Sequence, residues 1–227
     1  MLKKWEELPE FMKTEEVKVY YDMLSKKKGA LVLKRAFDLV VSFIMLLVLS
    51  PVFLLIAVAI KLDSPGPVFF RQVRVTQYGE EFRIFKFRSM VNNADKIGSA
   101  VTTKGDARIT KVGKFIRKFR LDEFCQLIDI FRGTMSFVGT RPEVPKYVNA
   151  YTDEMNATLL LKAGVTSEAS IRFKDEDKIL EGKSDIDRAY IEEVLPKKME
   201  YNLEAIRNFS FFGEIGIMIR TVFAVLK

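Results

Sequence analysis

The chain has 227 residues, a formal net charge of +7 and a pI near 9.3, with one cysteine and no histidine. That length suits one domain plus an appendage, and the basic balance suits anionic lipid, phosphorylated substrates or nucleic acid. The lack of histidine excludes Ser–His and Cys–His nucleophile pairs, histidine general bases and histidine-ligated metals, and the lone Cys125 excludes an internal disulfide. Chemistry is left to carboxylates, lysine, arginine, hydroxyls and a hard cation.

Residues 1–29 are polar and charged, with Trp5, Leu8, Phe11 and Met12 spaced for a short amphipathic helix, and they read as a peripheral extension. They are too charged for a secretory signal. Leu39 to Ile60 then carries no charge and is interrupted near its midpoint by Ser50-Pro51. A straight helix of that length reaches ~33 Å, enough for the ~30 Å hydrocarbon core. Pro51 has no N–H and its ring meets the carbonyl of Leu47, which predicts a kink or break there. Lys26, Lys27, Lys28, Lys34 and Arg35 precede the stretch, and Lys61, Arg71 and Arg74 follow it. The positive-inside tendency favours both ends on the cytoplasmic side. Two shapes fit: a re-entrant hairpin that enters and leaves by one face, and an ordinary kinked transmembrane helix.

Asp63-Ser64-Pro65-Gly66-Pro67 is a turn or extended linker. Val68–Val75 and Glu81–Arg88 read as strands, the second placing Phe85 and Phe87 on one face and Lys86 and Arg88 on the other. Two adjacent cations can hold a diphosphate or simply face solvent. Asn92 to Ile97 suggests a short helix, and Gly98–Asp106 is small and polar, a lid or a surface loop. Lys114–Phe131 carries apolar stripes at helical spacing, fits two helices meeting near Leu121, and ends at Gly133. Met135–Val138 is a short apolar segment before an irregular turn, Glu143–Leu161 looks mainly helical, and Gly164 marks a break. Ser184-Asp185 opens further helix, with Pro196 starting or kinking it. The tail sets Phe211, Ile215, Met218, Ile219, Val222, Phe223 and Leu226 on one stripe, a core helix or one lying in a membrane interface.

Arg117 to Glu123 is the densest mixture of opposite charges. A helix beginning near Leu121 puts Asp122 and Glu123 in its first turn, where the dipole favours anions. Such acids serve as capping groups or as a substrate-facing and a metal-facing pair.

The stretches KRAFDLVVS…LSPVFLLIAVAIKLDSPGPVFFRQVRV, FRIFKFRSM, DARITKVGKFIRKFRLDEFCQLIDIFRG and MSFVGTRPE occur in order from about Lys34 to Lys174. Together they resemble the bacterial sugar transferase family, in its small monotopic phosphoglycosyl transferase form. The resemblance implies transfer of a sugar-1-phosphate from a UDP-sugar to undecaprenyl phosphate with release of UMP, the first membrane step of bacterial glycan assembly. It implies Asp122 as catalytic nucleophile, Glu123 as a catalytic residue associated with Mg²⁺, and Lys86, Arg88, Arg117, Arg141 and Glu143 as substrate- or phosphate-binding positions. It makes Ser50-Pro51 the break of a re-entrant membrane helix and places the protein on the cytoplasmic face of the bacterial inner membrane.

The expected fold class is therefore α+β, mostly helical, with a polar extension (1–29), a membrane hairpin (30–62) and a catalytic domain (63–227) bearing interfacial amphipathic helices. Phe124-Cys125, Thr140 and Ala163–Ser167 depart from the family's usual residues without removing a charge the mechanism needs. The competing reading is a non-catalytic basic membrane-anchored binding protein, which gains nothing from acids set among Arg117, Arg120, Arg132 and Arg141. Nucleic-acid binding ranks last, because the aromatics fall on core or membrane faces.

Overall fold

A computed structural model describes residues 2–94, 106–173, 179–180, 182–183 and 185–226. Residues 98–105 of the expected lid or loop, and residues 95–97 of the short helix expected at Asn92–Ile97, lie outside them.

The uncharged stretch sits inside the longest element, helix α2 (Lys28–Asp63), preceded by α1 (Glu15–Ser25). Pro51 does not end α2. The Leu47 carbonyl, which Pro51 cannot serve, accepts instead from the Ser50 hydroxyl at 2.8 Å, so the proline's missing donor is replaced from within the helix. Lys34, Asp38, Ser42, Leu46, Leu49, Phe53, Ile56 and Ile60 recur every three or four residues as a single stripe that is buried or half-buried. The other faces leave Leu39, Val40, Phe43, Ile44, Leu47, Val48, Leu54, Leu55 and Val58 exposed. By length and composition α2 could cross a membrane.

Both ends of α2 are bonded to the same body. Near its start Lys34 Nζ donates to the Val138 carbonyl at 2.8 Å and pairs with Glu214 at 2.6 Å. Arg35 donates to the Ile130 and Phe131 carbonyls at 2.8 and 3.1 Å, and Asp38 accepts from the Phe137 amide at 3.2 Å. At the far end the Arg88 guanidinium donates to the carbonyls of Ile60, Ser64 and Pro65.

The two expected strands, β1 (Phe69–Val75) and β2 (Glu81–Phe87), form an antiparallel pair in register from Phe69↔Phe87 to Val75↔Glu81. After α3 (Lys111–Lys118) and α4 (Leu127–Arg132), β3 (Met135–Val138) pairs in parallel with β4 (Ala163–Thr166). Gly164, expected as a break, lies inside β4. A Cβ there would sit 2.1 Å from the Gly139 amide nitrogen, so the strand requires glycine for close backbone approach. The region expected to be mainly helical contains only α5 (Pro145–Val148) and a 3₁₀ turn at Met155–Leu160.

The N-terminal segment is not peripheral. Leu8, Met12, Val17, Tyr20 and Leu24 are buried against Val75, Tyr78, Leu160, Leu203 and Ile206 in one apolar cluster. The chain closes with α6 (Glu168–Arg172), α7 (Ile186–Ala189), a π-helical turn (Tyr190–Val194), α8 (Leu195–Arg207) and α9 (Phe211–Leu226). Phe211, Ile215 and Met218 of the tail stripe are half-buried, whereas Ile219, Val222 and Phe223 are exposed.

Candidate active site

The site is built where α3 stops. Thr110 caps that helix by accepting from the Gly113 amide at 2.9 Å. Its end is set by Arg120, whose φ of 52° lies in the left-handed region. The chain reverses there and enters a 3₁₀ turn, Leu121–Gln126, with Asp122 and Glu123 in its first turn. The turn packs beside β2, which brings Lys86 to Glu123, and the loop after β3 brings in Arg141.

The two adjacent acids have opposite surroundings. Glu123 Oε1 accepts from Arg141 Nη2 at 2.6 Å and from Lys86 Nζ at 3.1 Å. Burial alone would raise its pKa, but these two cations win and hold the carboxyl well below the usual carboxylate range. Among the described residues no side chain hydrogen-bonds or ion-pairs with the Asp122 carboxylate. Burial, then the charge of Glu123, raise the Asp122 pKa against the pull of Lys86 and Arg117. Lys86 is shifted down by burial, with Glu123 opposing. Glu123 is thus a fixed anion that orders two cations, and Asp122 is a carboxylate without a partner side chain among the described residues.

Asp122 and Glu123 line a cavity of ≈ 450 Å³ together with six cationic residues: Lys86, Arg117, Lys118, Arg120, Arg141 and Lys198. Such a surplus of positive charge fits phosphate groups, which arginine grips by forked contacts. Lys86, Arg117, Arg141, Asp122 and Glu123, all expected from the sequence, come together here.

Two expected phosphate-binding residues do not line it. Arg88 is buried, with its guanidinium on the carbonyls that close α2. The reason is local: β2 ends at Phe87, so Arg88 no longer follows the alternation that would put it beside Lys86. Glu143 is buried behind the cavity, where it accepts from the Tyr190 hydroxyl at 2.5 Å and from Lys198 Nζ at 3.4 Å. Arg74 Nη1 lies 4.0 Å from it. An anion so placed acts on neighbouring cations rather than on phosphate. Lys198 escapes notice in the sequence, although it occupies the buried stripe Leu195, Lys198, Met199, Asn202, Leu203 and Ile206 of α8. A lysine on an apolar stripe is the signal that could have found it.

Among the described residues no cluster of three acidic, histidine or cysteine side chains could hold a metal by itself. Magnesium is ordinarily held by one or two carboxylates together with substrate phosphates and water. Among the described residues Glu123 Oε2 has only a long 3.5 Å contact from Arg141, so it retains the capacity for such a shared ion.

A model of the bacterial sugar transferase family matches residues 29–227. The chain belongs to the bacterial sugar transferase family. This sugar transferase is 39% identical over 196 residues to an Escherichia coli (strain K12) UDP-glucose:undecaprenyl-phosphate glucose-1-phosphate transferase, covering 84% of this chain and 39% of the relative. An Aeromonas hydrophila UDP-N-acetylgalactosamine-undecaprenyl-phosphate N-acetylgalactosaminephosphotransferase is 35% identical, covering 86% of this chain and 44% of its own. The chain thus spans about two fifths of the length of these curated relatives. An uncharacterized sugar transferase of Bacillus subtilis (strain 168) is 33% identical and is matched over 88% of its length and 86% of this chain.

Proposed function

We propose that this sugar transferase moves a sugar-1-phosphate from a UDP-sugar to undecaprenyl phosphate, through a covalent intermediate on Asp122. The observation that carries the reading is the contrast within the cavity: one carboxylate locked by two cations, the next without a side-chain partner among the described residues, and a surrounding excess of positive charge. Arg117, Arg141 and Lys86 take the donor's phosphate oxygens. An Asp122 oxygen attacks the phosphorus that bears the sugar, the bond from that phosphorus to the UMP oxygen breaks, and UMP leaves with the electron pair. An oxygen of the lipid phosphate then attacks the same phosphorus and expels the Asp122 carboxylate, leaving a polyprenyl diphospho-sugar and restoring the enzyme. Glu123 fixes Lys86 and Arg141 for both steps, and its carboxylate would help to hold a Mg²⁺, which when bound would supply positive charge against the donor's diphosphate.

The same reading makes α2 a membrane anchor that keeps the catalytic body at the cytoplasmic face. Its exposed apolar faces and the attachment of both its ends to one body favour a half-depth insertion over a full span, since a span would carry one set of those bonds across the bilayer. The exposed residues Ile219, Val222 and Phe223 of α9 suit the membrane interface. Cysteines placed at the two flanks of α2, in a background lacking Cys125, then label from one side of the membrane; labelling from opposite sides would establish a span.

The catalytic reading is tested by incubating nanodisc-held protein with Mg²⁺, undecaprenyl phosphate and UDP-glucose, UDP-galactose or UDP-N-acetylgalactosamine, and measuring UMP. Release from at least one donor is expected, and Asp122→Asn neither releases UMP nor acquires a phospho-sugar adduct. No release from a broad UDP-sugar panel would leave a basic membrane-anchored binding protein instead.

A further inference from the structure

We infer that Lys198 is a phosphate-binding residue of the cavity, and that Glu143 and Tyr190 are the positioning residues that set it. The inference rests on the transferase reading and extends it to a residue far from the motif acids in the sequence. Lys198 is 4% exposed, yet it forms part of the wall of the cavity that holds Asp122 and Glu123. An ammonium this buried is costly unless it is paired and hydrogen-bonded. Nζ donates to the Tyr190 hydroxyl at 2.9 Å and to Glu143 Oε1 at 3.4 Å, and the same Oε1 accepts from Tyr190 at 2.5 Å. The three groups form a closed triangle that fixes the ammonium on more than one side.

The backbone is shaped for this contact. Tyr190 opens a π-helical turn, Tyr190–Val194, directly before α8. Such insertions are uncommon and concentrate at functional sites. The Tyr190 ring packs against Tyr147 with centroids 4.5 Å apart, and the Tyr147 hydroxyl donates to Asp187 at 2.6 Å, so the hydroxyl that meets Lys198 rests on an ordered support. Glu143 follows Arg141 by two residues, and its backbone carbonyl accepts from the Val75 amide at 2.9 Å. One short loop therefore supplies a cation to the front of the cavity and, from behind, the anion that holds another.

The chemistry agrees with this division. A core lysine whose only task was packing would be replaced at lower cost by methionine. At the wall of a cavity already lined by Lys86, Arg117 and Arg141, an additional fixed ammonium raises the attraction for a diphosphate and costs no rearrangement when the donor arrives.

The test uses the full chain in detergent and two readouts: UDP binding by titration calorimetry and UMP release from the active donor. Lys198→Met alone leaves Glu143 with less compensation and risks misfolding, so the decisive variant is Lys198→Met/Glu143→Gln, which removes both charges together. It is expected to melt near the wild type while binding UDP about tenfold or more weakly. Lys198→Arg keeps the charge and is expected to stay within about threefold. Tyr190→Phe, which removes one partner from the ammonium, is expected to raise KM for the donor more than it lowers kcat. Unchanged UDP affinity in a folded double variant, with wild-type activity intact, overturns the role of Lys198 and leaves the transferase reading standing. Wild-type protein that binds no UDP and releases no UMP overturns both.

Discussion

Arg141 reaches Glu123 with a 2.6 Å contact that ties the loop after β3 to the 3₁₀ turn carrying both acids. Lys86 approaches the same oxygen from β2 at 3.1 Å. Three separate parts of the chain therefore meet at one carboxylate. Glu123→Gln keeps the shape and removes the charge. Hydrogen bonds to charged groups are worth roughly 1.5–3 kcal/mol and neutral ones roughly 0.5–1.5; the Gln oxygen still accepts from both donors, so urea denaturation should report a loss of about 2–3 kcal/mol for the two contacts together. UMP release should fall by about a hundredfold or more, because the cations lose the anchor that aims them. A folded variant with near-normal turnover would show that Glu123 is merely structural.

The shifts at the paired acids give a signed pH prediction. In the proposed reaction Asp122 attacks only as the carboxylate, and burial followed by the charge of Glu123 raises its pKa. The acid limb of the UMP-release profile should therefore lie above the range of an ordinary exposed aspartate. Glu123→Gln removes one of the raising influences, so the limb of its residual activity should move to lower pH. Arg117→Gln removes a lowering influence and should move it to higher pH. Coincident limbs in all three proteins would mean that a group other than Asp122 sets the profile.

Asp129 supplies a separate pH effect on stability. Burial pushes its pKa up to about 6, opposed by the Phe85 amide, which donates to Oδ2 at 2.8 Å. A carboxyl with a raised folded-state pKa binds its proton more tightly in the folded protein. Its favourable contribution is therefore full below the unfolded value of about 4 and is lost as pH rises through about 6. Asp129→Asn retains an oxygen for Phe85 and removes the titration. The difference in melting temperature between variant and wild type should shift in favour of the variant between pH 4 and pH 7. A constant difference across that range would contradict the assignment.

The part of this architecture readable in advance is the part governed by short-range pattern. Alternation locates β1 and β2 to within a residue, because side chains on a strand repeat every two positions. The densest cluster of mixed charge marks Asp122 and Glu123, and the resemblance adds Lys86 and Arg141. Lys198 and Tyr190 are not readable by those means: Lys198 reaches the cavity from α8 in the last part of the chain, and Tyr190 meets it from the preceding π-helical turn, where sequence spacing carries no distance. The N-terminal segment was readable in part. Val17, Tyr20 and Leu24 continue the apolar spacing of Leu8 and Met12, but the surface that buries them comes from Val75, Leu160 and Leu203. Pro51 was expected to kink or break the helix; it does not end α2, and the hydroxyl of Ser50 meets the carbonyl that the proline leaves without a donor.

Arg88 offers the sharpest division between a binding and a structural role. Its guanidinium donates to the Ile60, Ser64 and Pro65 carbonyls, where the chain leaves α2, and a Cβ on Gly66 would meet Arg88 Nη1 at 2.1 Å. A cation there satisfies carbonyls that the helix end leaves open and complements the negative end of its dipole. Arg88→Met should therefore cost about 2–4 kcal/mol in denaturant unfolding, with the KM of the folded protein for its UDP-sugar changed by less than about twofold. Lys86→Met, one turn of the alternation away and facing Glu123, should do the reverse: activity falls by about tenfold or more with a smaller effect on stability. A stable Arg88→Met protein with a strongly raised KM would return Arg88 to the phosphate site, and would require the end of α2 to hold its carbonyls by other means.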